Sequence, residues 1–155
     1  HHLVLFAMFA SLTTVMTLLF RIPIPSAQGY VNIGDTILLL AALMMGPAAG
    51  FWAGAMGSAL ADLMAGYAMY MPFTFFVKGL EGFLAGAMYK KTGNVAMATF
   101  LPAIWMTIGY FLTDWFLYGL AAASVATPLN LLQGIIGAAF ATILYKVLRP
   151  ILKIK

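Results

Sequence analysis

Four acidic residues, Asp35, Asp62, Glu81 and Asp114, are all that the 155-residue chain contains. Each stands inside or beside a long apolar run, with Lys78 three positions before Glu81, and with Asn130 and Gln133 three apart further on. A charge at the centre of a bilayer costs about 2.5–3.5 kcal/mol on insertion scales, whereas a Leu or Ile returns only about 0.3–0.6 kcal/mol. Side chains kept at that cost pair with one another, cap a helix, border water or hold a ligand. The chemistry they offer is recognition: one ammonium, up to three carboxylates and two amides, with tyrosines nearby.

Other chemistries are absent. The chain has no cysteine, which removes disulfides, thiolate metal sites and cysteine nucleophiles. Its only histidines are His1 and His2, which read as the remnant of an expression tag and are set aside. Lys78 is followed by Gly79 inside an apolar run, and no GxxxxGK[ST] loop, HExxH pair or Ser/His/Asp set occurs. The expectation is a protein that binds without catalysing and has no cofactor or metal of its own.

The elements that must position these residues follow from composition. With 64% hydrophobic and 8% charged residues, the chain reads as an all-α integral membrane protein. At about 20 apolar residues per crossing, the length allows at most about six spans in a single domain over residues 1–155. Reading between breakers gives helix 1 from Leu3 to Phe20, helix 2 from Asp35 to Met45 and helix 3 from Ala48 to Ala65. Helix 4 runs from Pro72 to Tyr89, helix 5 from Met97 to Leu120 and helix 6 from Pro128 to Leu148. Helix 2 is short for a span, so it is tilted, extended into its loop or shielded by protein.

The net charge of +4 comes from clusters at Lys90-Lys91 and at Lys146, Arg149, Lys153 and Lys155. They flank apolar runs, the mark of a cytoplasmic face rather than of nucleic-acid binding. Six spans put both termini on that face, leaving the loops Arg21–Gly34, Gly66–Met71 and Ala121–Thr127 outside. Glycines at spacings of three and four on helices 3, 4 and 6 make stripes for close helix packing. A weak repeat relates helices 3 and 4 to helices 5 and 6: Asp62, Pro72 and Lys78-Gly79 parallel Asp114, Pro128 and Gln133-Gly134.

Depth then brings the polar residues together. At 1.5 Å per residue, Lys78 lies about 9 Å and Glu81 about 13 Å below the outer end of helix 4. Asp62 and Asp114 fall near the outer ends of helices 3 and 5, and Asn130 and Gln133 open helix 6. Thr74, Lys78 and Glu81 share one stripe, and Tyr110, Asp114 and Tyr118 another, with Phe111 and Trp115 adding flat surfaces for a small heteroaromatic ring. Plainer roles compete with this one. Lys78 and Glu81 can simply neutralise each other, Asp62 and Asp114 can be interfacial, and Tyr67 and Tyr70 fit an aromatic belt. Asp35, opening a helix after Gly34, reads as an N-cap rather than a ligand group.

Several runs resemble one family. Asn32-Ile33-Gly34-Asp35, Gly46-Pro47-Ala48-Ala49-Gly50, Gly57-Ser58-Ala59-Leu60-Ala61-Asp62-Leu63 and Pro72-Phe73-Thr74, leading to Lys78-Gly79-Leu80-Glu81-Gly82, are similar to the S components of energy-coupling factor (ECF) vitamin transporters. The branch is the riboflavin-type one, which includes hydroxymethylpyrimidine and pyridoxine binders. The likeness covers helices 1 to 4 in sequence and helices 5 and 6 chiefly in topology. It implies a six-helix protein of the prokaryotic plasma membrane, embedded in lipid, that captures a vitamin from outside. That subunit docks on a transmembrane T subunit driven by two cytoplasmic ATPases, which use the ATP.

By the same resemblance the substrate site is formed by the first loop and helices 4 to 6, with Tyr30 and Asn32 in a lid. Small residues of helix 1, here Ala7 and Ser11 with Ala10 and Thr14 on the neighbouring stripe, would face the T subunit. The expected substrate-binding set is thus Tyr30, Asn32, Asp62, Thr74, Lys78, Glu81, Tyr110, Asp114, Trp115, Asn130 and Gln133. Hydroxymethylpyrimidine or a pyridoxine-like ring is the first choice of substrate and riboflavin the second. The rival is a stand-alone secondary carrier with Lys78, Glu81 and Asp114 as a proton relay.

Overall fold

Every residue from Asp35 to Leu43 is buried, so this short apolar helix is surrounded on all sides. A helix without a polar face belongs in the interior, and the rest of the chain is wrapped around it. The computed structural model describes residues 1–25 and 29–153. Its elements are α1 (His2–Leu19), β1 (Ile22–Pro23), β2 (Tyr30–Val31), α2 (Asp35–Met45), α3 (Pro47–Met64), α4 (Met71–Thr92), α5 (Val95–Tyr118) and α6 (Leu120–Ile151). Helices α1, α3, α4, α5 and α6 pack neighbour to neighbour in an arc, and α2 touches all five from inside. Shielding by protein is what makes an 11-residue apolar helix possible here. Helices α1, α5 and α6 are long and apolar enough to cross a membrane.

The α3–α4 seam is built from missing side chains. A Cβ on Gly82 would run into the backbone of Gly50, one on Gly50 into that of Gly82, and one on Gly54 into the Lys78 carbonyl. This is close helix approach through small residues. Pair α5–α6 is the other extensively packed neighbour pair.

Connections are tight. Gly46, at φ 95°, turns α2 into α3, where Pro47 takes the first helical position that its missing N–H suits. Asn94 caps α5 by accepting from the Met97 N–H at 3.1 Å. One expected loop is absent: α6 begins at Leu120 rather than Pro128, and Gly119 alone (φ 93°) links it to α5. The stretch Leu120–Thr127 is rich in alanine, the best helix former, and a proline eight residues in removes one helical hydrogen bond without ending the helix. The hydroxyls of Ser124 and Thr127 bond back to the Leu120 and Ala123 carbonyls at 2.8 and 2.6 Å.

Between α1 and α2 the chain forms a two-stranded antiparallel ribbon, Ile22 opposite Val31 and Pro23 opposite Tyr30. Ser26–Gln28 of that loop and Lys155 of the basic cluster lie outside the described residues. The ribbon sits where α1, α3 and α5 finish and α2, α4 and α6 begin. Lys90, Lys91, Lys146 and Arg149 gather at the opposite end.

Candidate functional site

Beneath the ribbon, five helices surround a small polar cavity: α1 gives Thr17, α3 gives Ser58 and Asp62, α4 gives Thr74 and Lys78, α5 gives Tyr110 and Asp114, and α6 gives Asn130 and Gln133. Ile24, Gly29, Tyr30 and Asn32 of the first loop, with Tyr70 from the turn before α4, close its roof. The free space is about 30 Å³, room for one or two waters.

A charge network forms the floor. The Lys78 ammonium pairs with Asp35 and, at 3.4 Å, with Glu81, and all three side chains are buried. It also lies 5.6 Å from the centre of the Tyr110 ring, within cation–π range. Gln133 donates to the second Asp35 oxygen at 3.2 Å and accepts from the Asn32 N–H at 3.0 Å. The Asn32 side-chain oxygen accepts from the Gly34 N–H at 2.7 Å and from the Thr17 hydroxyl at 3.4 Å. Polar bonds therefore run without a break from α1 through the loop, α6 and α2 to α4. Two carboxylates face one ammonium, so mutual neutralisation of Lys78 and Glu81 is only part of the arrangement.

The roof is latched by two phenols. The Tyr30 hydroxyl donates to Asp62, and the Tyr70 hydroxyl donates to Asp114. Burial, then the Asp62 carboxylate beside it, pushes the Tyr30 phenol well above its ordinary 10.0. Burial and the hydrogen bond to Asp114 do the same to Tyr70. Both hydroxyls thus stay protonated as donors. Rings reinforce the roof: Tyr30 packs on Tyr67 at 4.8 Å and Tyr70 on Tyr118 at 6.0 Å. Thr74 and Tyr110 share a hydroxyl bond of 2.9 Å.

Of the residues expected from sequence, the structure brings Tyr30, Asn32, Asp62, Thr74, Lys78, Tyr110, Asp114, Asn130 and Gln133 to this one cavity. Two stand apart. Glu81 lies one helical turn below, behind Lys78, and does not border the space. Trp115 is 52% exposed, turned outward against Phe111 at a ring distance of 5.8 Å. The next position after Asp114 faces a different side of the helix, and only one of the two can point inward.

Two further readings are corrected. Asp35 makes no capping bond, and its buried carboxylate holds Lys78 and Gln133 instead. Tyr70 is buried at the cavity rather than set in an aromatic belt. On α1, Ala7 and Ser11 are exposed and Ala10 is half-buried; with Leu3, Phe6, Trp52, Met56 and Leu60 they line an apolar groove between α1 and α3. Thr14 is not on that face: it is buried and donates to the Gly57 carbonyl at 2.8 Å, fastening α1 to α3.

Comparison with known proteins places the architecture. The family described as the S component of ECF-type riboflavin transporters matches residues 1–150. The chain belongs to this family. It is therefore the substrate-binding subunit of a vitamin transporter, a multi-pass protein of the cell membrane and not an enzyme. The S component is 41% identical over 147 residues to an uncharacterized protein of Pyrococcus woesei, covering 90% of this chain and 99% of that one. It is 31% identical over 152 residues to the thiamine precursor transporter HmpT of Lactococcus lactis, covering 97% and 87%. The solved S component of a bacterial ECF transporter superposes with a TM-score of 0.73 at 27% identity, over 97% of this chain and 96% of that one.

Proposed function

We propose that this S component captures a small heteroaromatic vitamin precursor, hydroxymethylpyrimidine or a pyridoxine-like ring, from outside the cell. The observation that carries the reading is the convergence of polar side chains from five helices on one lidded cavity, at the end away from the basic clusters. Positive charge marks the cytoplasmic side, so six spans leave both termini inside and the cavity facing out. The Lactococcus lactis relative is named for a thiamine precursor, which supports a single ring over a fused flavin carrying a sugar chain. The substrate-binding residues are then Tyr30, Asn32, Asp62, Thr74, Lys78, Tyr110, Asp114, Asn130 and Gln133, joined by Tyr70.

Delivery goes through a T subunit seated on the α1–α3 groove at Ala7, Ala10 and Ser11, with two ATPases using the ATP. Residues 1–155 act as one membrane domain and need no cofactor. A stand-alone carrier is disfavoured by the family match, which is to S components.

Calorimetric titration of the purified protein with hydroxymethylpyrimidine, pyridoxine and riboflavin tests the substrate. One of the single-ring compounds should bind at least about 100-fold more tightly than riboflavin. Preferential binding of riboflavin would falsify the assignment. Concentrative uptake by vesicles holding this chain alone, abolished by a protonophore, would replace the subunit reading by the carrier.

A further inference from the structure

Buried side-chain oxygens without a hydrogen-bond partner, among the described residues, belong to Thr13, Thr36, Asp62 and Glu81. Only Asp62 borders the cavity. Its Oδ1 accepts from Tyr30, while its Oδ2 is buried without a hydrogen-bond partner; the nearby Thr74 hydroxyl shares a 2.9 Å bond with Tyr110 in which either oxygen can donate. A buried carboxylate oxygen without a partner is costly, and the fold gains no bond from it. Elsewhere the cavity offers donors: the Lys78 ammonium and the Asn130 amide, which makes no hydrogen bond to a described residue. The two sides therefore ask for different things. A ligand must bring an N–H to the α3 side and acceptors to the α4 and α6 side.

Resting on the single-ring reading above, we infer that Asp62 is the residue that selects an exocyclic amino group, so that the site takes an aminopyrimidine in preference to the same ring with hydrogen or a keto oxygen there. With Tyr30 already on Oδ1, Oδ2 remains free to accept, and an amino N–H satisfies it with a charge-assisted bond. A keto oxygen in the same place sets two acceptors against each other. A hydrogen there leaves the carboxylate oxygen bare and desolvated. Sites built to bond a polar group reject analogues that lack it far more strongly than apolar pockets reject a size change.

The experiment is a ligand series on the whole protein, by calorimetry: hydroxymethylpyrimidine, its des-amino form and its keto form. Wild-type protein should prefer the amino ring by at least about 100-fold over either analogue. In Asp62→Asn, whose amide both donates and accepts, that preference should shrink to within about tenfold while the keto form binds better than to wild type. Asp62→Ser serves the same comparison if the Asn protein does not fold. Equal binding of amino and des-amino rings by wild type overturns this inference alone, as does an unchanged preference in the variant. If wild type binds none of the three rings but binds pyridoxine, this inference fails and the single-ring reading stands; tight binding of riboflavin alone overturns both.

Discussion

Two faces of α4 solve opposite problems within a few residues of each other. On one stripe Gly82 and Gly86 give up side chains so that the α3 backbone can touch theirs, and Gly79 makes room for the Phe51 and Ala55 side chains. On the other, Thr74 and Lys78 keep polar side chains that a membrane penalises, and the surrounding helices are arranged to pair them. The first face stabilises by leaving nothing out of contact, and it fails through added volume. The second contributes little net stability, because desolvation offsets attraction, and it fails through lost partners. Conserving volume should therefore rescue one and conserving charge balance the other.

The largest effect belongs to the glycine face. Gly82→Val puts two methyl groups where the Gly50 backbone stands. Neither backbone can retreat without opening the seam, so the cost should exceed the roughly 1–3 kcal/mol of ordinary overpacking. Size-exclusion chromatography in detergent should show no monodisperse protein. A variant that purifies with normal ligand affinity would mean that the seam is softer than its geometry.

Lys78→Met comes next. It nearly conserves volume but leaves Asp35 and Glu81 buried without their cation, which should cost about 3–5 kcal/mol of stability. Adding Asp35→Asn and Glu81→Gln should restore the unfolding midpoint while vitamin binding stays lost. Recovery of binding in the triple variant would remove the Lys78 ammonium from the site.

That contrast also governs what the sequence revealed. The glycine stripes and the depth of the polar residues were legible because helical period and rise are nearly constant, so spacing alone places Gly50, Gly54, Lys78 and Asp114. Asp35 was misread because an acid after Gly34 looks like a cap. The clue was the helix itself: with no polar stripe to face water, α2 had to be buried from its first residue. Tyr70 was misread because a tyrosine in a turn suits a membrane interface equally well, and only the fold shows Asp114 beneath it. Trp115 failed for a geometric reason, since a residue adjacent to Asp114 cannot share its direction. The start of α6 was misplaced by giving Pro128 more weight than the alanines before it.

Smaller effects are expected at the roof, where a phenol holds each carboxylate. Tyr70→Phe keeps the ring against Tyr118 and removes one hydrogen bond to Asp114. A charge-accepting bond of this kind is worth about 1.5–3 kcal/mol. Dissociation of the vitamin, followed by stopped flow, should accelerate about tenfold or more with little change in the association rate. If association changes instead, Tyr70 shapes the empty site rather than closing the filled one.

The smallest effect is a silence in the pH profile. Tyr30 and Tyr70 both have phenol pKa values raised above the ordinary 10.0, chiefly by burial. Below that value the phenols are protonated in the folded and unfolded chains alike, so the latches add no pH dependence there. Above it the unfolded chain releases protons that the folded chain retains, so their stability is lost as pH climbs from 10 upward. Thermal unfolding should show no step from these groups between neutrality and pH 10, then a decline that the Tyr30→Phe/Tyr70→Phe protein lacks. A decline of equal size in the double variant would assign alkaline unfolding to groups other than the latches and leave the roof to its ring contacts.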